Sequence, residues 1–106
     1  MGLSSVVIFS GDPPSWGTIR DQLQLRGLST NLRMIDGLPA FPDEIPESTW
    51  HELRVTVGAG MLTLKRSPDG LQCVVWGNAD SSLQRAQNVA VEIIAELTGG
   101  VVAVTY

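Results

Sequence analysis

Apolar residues occupy consecutive positions in Ser5-Val6-Val7-Ile8-Phe9, a short and mostly β-branched run that predicts a strand covered on both faces. Gly11-Asp12-Pro13-Pro14 ends it. Trp16, Ile19 and Leu23 then recur at spacings of three and four, which puts them on one face of a helix that Ser15 or Asp12 caps and Gly27 closes. Leu32, Met34 and Ile35 predict a second strand within Asn31–Asp36. Gly37, Pro39, Pro42 and Pro46 follow, and they argue for a long irregular loop up to Ser48.

From Leu53 to Trp76 the pattern changes to strict alternation, the signature of a three-strand meander with one buried face. Ser67-Pro68-Asp69-Gly70 has the composition of a four-residue turn, which sets Leu64 opposite Cys73 and Leu62 opposite Val75. A plain three-residue loop at Gly58-Ala59-Gly60 would mix the faces of the first two strands. A longer connection that takes in Met61 avoids this and pairs Val57 with Leu62 and Val55 with Leu64. One face then holds Leu53, Val55, Val57, Leu62, Leu64, Leu71, Cys73 and Val75. The other carries Arg54, Thr56, Met61, Thr63, Lys65, Gln72, Val74 and Trp76.

After Gly77, Asn78 or Asp80 caps a long helix running to about Leu97, with Leu83, Ala86, Ala90, Ile93, Ile94 and Leu97 as its apolar stripe. Gly99-Gly100 stops the helix. Val101-Val102-Ala103-Val104-Thr105-Tyr106 is an uncharged final strand, and its apolar character on both faces suggests a central place in the sheet. The order is β-α-(β)-β-β-β-α-β. It predicts an α+β fold, a two-layer sandwich in which a mixed, mostly antiparallel sheet carries two helices on one face. This order resembles the broad ferredoxin-like plan with one extra strand, a likeness of topology that carries no function.

The length of 106 residues fits one globular domain spanning 1–106. Charged residues make up 17%, against about 25% in an average soluble domain. The deficit is local: among the meander strands only Arg54, Lys65 and Arg66 are charged, and the final strand has no charge. Five of the acidic residues crowd into Asp36–Glu52. A net charge of −4 argues against a nucleic-acid partner. One Cys and one His exclude an internal disulfide and a zinc site of the usual kind. Met1–Phe9 lacks the features of a signal peptide, and no apolar run is long enough for a membrane span, so the chain reads as cytoplasmic.

No phosphate-binding glycine pattern, HExxH or GxSxG sequence is present, so the reading leans away from an enzyme and implies no cofactor or metal. Trp76-Gly77-Asn78-Ala79-Asp80 opens a helix whose N-terminal amides could meet an anion, although Asn78 or Asp80 capping that helix needs no ligand. His51 follows Asp43, Glu44 and Glu47. Glu47, His51, Asn78 and Asp80 are therefore the candidates for a small-molecule site or weak catalytic centre between the Pro39–Ser48 loop and the second helix. Trp16 and Trp50 read as core or loop anchors, and Cys73 as an inert packing thiol. Met61, Val74 and Trp76 stand apart, because alternation sends them to the face that should be wet. Two coverings are open: the 31–48 segment folding across with Leu38, Phe41 and Ile45, or a second protein chain. The leading expectation is a non-enzymatic protein-binding or regulatory module, a homodimer joined through its sheet, with Arg54, Met61, Val74 and Trp76 at the interface.

Overall fold

Nine elements follow from these patterns in the computed structural model, which describes residues 3–58, 60–75 and 81–105, and the side chains of all of these except 3, 104 and 105. They are β1 (Leu3–Ile8), α1 (Trp16–Leu25), β2 (Thr30–Ile35), β3 (Leu38–Pro39), β4 (Glu52–Val57), β5 (Gly60–Ser67), β6 (Gly70–Val75), α2 (Ser81–Thr98) and β7 (Val101–Thr105). The strands form one sheet in the order β3-β2-β4-β5-β6-β1-β7. The two helices pack on each other and on the same face of it, giving the expected α+β, two-layer architecture. Every neighbouring pair is antiparallel, so the sheet is not mixed as expected. The helical crossovers straddle other strands: β1 lies between β6 and β7, and β6, β5 and β4 lie between β1 and β2. Seven strands exceed the four of a β-α-β-β-α-β plan by three.

Local chemistry accounts for the element ends. Ser15 Oγ accepts a hydrogen bond from the Thr18 amide at 3.2 Å and caps α1, and Gly27 takes the left-handed conformation just beyond it, with φ 82°. The cap expected of Asn78 or Asp80 for α2 lies outside the described residues. In the meander, Leu62 pairs with Val75 and Leu64 with Cys73 as expected. Between β4 and β5, however, Val55 meets Leu62 and Val57 meets Gly60, two residues away from the expected register. The connection is a two-residue turn with Gly58 at φ 59°. A slip of two preserves the faces, so alternation excludes the odd registers and cannot choose among the even ones. All eight residues of the expected inner face are buried.

Two other expectations fail. Residues 36–39 are a hairpin: Asp36 (φ 51°) and Gly37 (φ 81°) form the turn, and Ile35 pairs with Leu38 and Met34 with Pro39. Asp-Gly is the favoured sequence for two residues with positive φ, and an edge strand tolerates proline, so the prolines shorten β3 without abolishing it. The last strand is not central either. β7 is the sheet edge, with Val101 68% and Val102 44% exposed. β1 does have strands on both sides, but it is only one place from that edge.

The core lies between the inner sheet face and the helices, with Trp16, Ile19 and Leu23 of α1 and Ala86, Ala90, Ile93 and Ile94 of α2 facing Val7, Leu32 and the meander residues. Leu97, expected in the same stripe, is 41% exposed, whereas Gln87 and Val91 are buried. Gln87 Nε2 donates to the Cys73 carbonyl of β6 at 3.0 Å, which satisfies the buried amide. Burial pushes the Cys73 thiol up to about 12, as suits a packing group. No described helix is long and apolar enough to cross a membrane.

Candidate functional site

The segment from residue 36 to 52 forms one end of the sheet. Asp36 anchors it: its Oδ1 accepts the backbone N–H groups of His51 (2.7 Å) and Glu52 (2.8 Å), and its own amide donates to the Glu52 carbonyl at 2.8 Å. The Glu52 amide, then that of His51, hold the Asp36 carboxyl below its ordinary value of 3.8. A lowered carboxyl pKa stabilises the fold above 3.8, and that contribution is lost as the pH falls through the lowered value. Asp36→Asn keeps an acceptor and tolerates the positive φ, so it removes the charge alone. The urea midpoint of wild type should exceed that of Asp36→Asn at neutral pH, and the gap should close in acid. A gap that does not change with pH counts against the clamp.

Trp50 is the second anchor, 3% exposed and part of the hydrophobic core. The Arg66 guanidinium lies over its ring, 5.3 Å from the centroid, and donates to the Ser48 carbonyl. Arg66 pairs with Leu71, so its strand position shares the inner-face parity of Leu64. Its side chain leaves the end of the strand and closes over the loop. Trp16, the other expected anchor, is also buried, at 2% exposure.

Between these anchors lies an open pocket of about 330 Å³, lined by Ile35, Asp36, Glu44, Ile45, Pro46, Glu47, Thr49 and Trp50. Glu47 belongs to its wall, and His51 is exposed beside it. Glu44 Oε1 accepts from the Phe41 amide. α2 begins at the opposite end of the sheet: a side chain at Gly60 would strike Leu83, and Gly60 lies five strand positions, roughly 17 Å, from Lys65, the partner of Glu52. Glu47 and His51 thus both belong to the end of the sheet away from the described start of α2. Asn78 and Asp80 lie outside the described residues. Among the described residues no three His, Cys, Asp or Glu side chains converge as metal ligands would. A larger depression, about 560 Å³, is lined by Ile8, Phe9, Ser10, Pro68, Asp69, Thr98 and Gly99, where Asp69 is the one ionisable side chain.

On the outer sheet face, Arg54 is exposed and paired with Glu52 (Nε to Oε1, 3.0 Å), and Lys65 is exposed. Met61 is 39% exposed, whereas Val74 and its cross-strand partner Thr63 keep only 8% and 6%. Trp76 lies outside the described residues. Leu38, Phe41 and Ile45 do not cover this face, as one reading of the sequence had them do: they are 69%, 74% and 82% exposed. The loop is held by Asp36 and Trp50 at the sheet end.

Of the exposed apolar residues that sequence reasoning missed, Leu25 stands at the end of α1 and three others are at the β7 side. Ile8 (45%) and Val101 (68%) pair on the outer face, and Val102 (44%) lies on the helix side. The signal was the uncharged final strand, but apolar residues on both faces are compatible with burial in a sheet and with pairing at its edge. Comparison with known proteins leaves this geometry to speak for itself, as no family model, curated protein or solved structure matches the chain.

Proposed function

We propose that the protein is a non-enzymatic protein-binding module that self-associates through its sheet. One observation carries this reading: the helices cover one sheet face, while Ile8 and Val101 at the β7 edge, and Met61 at the other end of β5, leave apolar side chains exposed on the opposite face. Neighbouring apolar side chains left exposed on a sheet, as Ile8 and Val101 are, point to an interaction site, where a single one would need no explanation. The interface on this reading takes in the outer face with Arg54, Met61 and Trp76, together with the neighbouring strands up to the β7 edge, whereas Val74, expected there from the sequence, is already buried and offers little surface. The cytoplasmic placement rests on the sequence alone.

Sedimentation across the micromolar range tests it. Wild type should associate with rising concentration, and the double variant Met61→Lys/Val101→Lys should weaken association by about tenfold or more, the equivalent of 1.4 kcal/mol. Both side chains are substantially exposed, so the variant should stay folded. A wild type that remains monomeric throughout overturns the proposal.

A further inference from the structure

We infer that two copies join edge to edge through β7, antiparallel and centred on Ala103, an inference that rests on the self-association proposed above. The two edges of the sheet differ in kind. At one end β3 has two residues, one of them Pro39, and the β2 strand beside it carries a bulge between Leu32 and Met34. Shortness, proline and bulges are the ordinary devices that stop a sheet from growing. β7 has none of them. It runs in unbroken register against β1, from Ile8 opposite Val101 to Ser4 opposite Thr105, without proline, glycine or charge. Among the described residues nothing pairs with its far side, where the backbone N–H and C=O groups are free to bind another strand.

The strand is also suited to itself. With Ala103 on a two-fold axis, Val101 lies opposite the Thr105 position of the second copy and Val102 opposite Val104. No like charges meet, and the smallest side chain stands at the axis. Four of the nine exposed large apolar residues among those described border this edge: Ile8 and Val101 on the outer side, and Val102 and Leu97 on the side of α2, which packs on β7. Under that axis Val101, with Ile8 behind it, lies beside the Thr105 end of the second copy, and Val102 lies beside its Val104, on both copies alike. The join would thereby hide apolar surface above and below the new strand pair, where a foreign peptide strand would hide it on one partner only.

Cysteine trapping tests the geometry, because the native Cys73 is buried and its thiol is not poised to react. Under mild oxidation Ala103→Cys should give a covalent dimer. Val101→Cys should not, since its counterpart in the second copy would lie roughly 13 Å away along the strands. Val101→Lys should raise the dimer dissociation constant by about tenfold or more. If wild type dimerises but Ala103→Cys fails to cross-link and Val101→Lys leaves the dimer intact, the edge inference falls while association through the outer face stands. A wild type that stays monomeric removes both.

Discussion

Gly70→Ala is expected to destabilise the fold by about 3 kcal/mol or more, at the upper end of what overpacking costs. Gly70 is the first residue of β6 and pairs with Ile8 on one side and Ser67 on the other. A Cβ placed there lies 1.8 Å from the Val7 carbonyl oxygen, 2.9 Å from the Val7 carbonyl carbon and 3.2 Å from the Ile8 Cα. All three atoms are backbone, so no rotamer change relieves the clash, and β1 must move away from β6. Gly60→Ala provides the comparison, because the three atoms nearest its Cβ all belong to the Leu83 side chain, with the methyls at 2.7 Å, and a side chain can turn aside. Urea denaturation of both variants measures the difference. A Gly70→Ala protein within about 1 kcal/mol of wild type would contradict the packing of β1 on β6. Because β1 carries β7, this variant should also lose self-association even where it remains folded.

Trp50→Ala should cost about 3–5 kcal/mol, the range for removing a buried large aromatic. Trp50 joins the core from a stretch without regular structure, and Arg66 covers its ring and holds Ser48 as well. Removal therefore empties a core site and frees the guanidinium at the same time. Arg66→Ala, which keeps the ring, should cost less, about 1–2 kcal/mol for a half-buried cation over an aromatic face. Hydrogen exchange provides a second readout: the His51 and Glu52 amides held by Asp36 should lose protection in Trp50→Ala. If the β7 edge is where copies join, the variant's association should be unchanged under conditions where it is folded, since this loop borders the opposite half of the sheet. Equal effects of Trp50→Ala and Arg66→Ala would mean that the ring contributes little beyond the cation.

The inner face of the meander could be read residue by residue, because burial on one side of a strand imposes a period of two. What the same argument left open was the even-numbered slip between β4 and β5, which the tight turn at Gly58 decides. The β2–β3 hairpin was legible in Asp36-Gly37, but three nearby prolines obscured it. The position of β7 was not legible, since an uncharged strand satisfies a buried place and an exposed edge equally well. Of the candidate site, the anchoring role of Trp50 followed from its size, whereas the Arg66 contact depends on where a strand ends. Glu47 and His51 looked close to the second helix because the sequence carries no measure of distance across the sheet.

The hydrogen bond from Gln87 to the Cys73 carbonyl has a consequence for how α2 finds its seat. The surface that α2 offers the sheet is built largely of Ala and Ile, and a shift of one turn, 5.4 Å, would exchange one aliphatic contact for another at modest cost. Gln87 does not share that tolerance, being 4% exposed and left without this acceptor if the helix slides or rolls. A single polar group thereby acts as an index mark for the helical layer, selecting one among several greasy dockings of similar energy. Sequences that keep the stripe and lose the amide would be expected to hold their stability better than their uniqueness of packing.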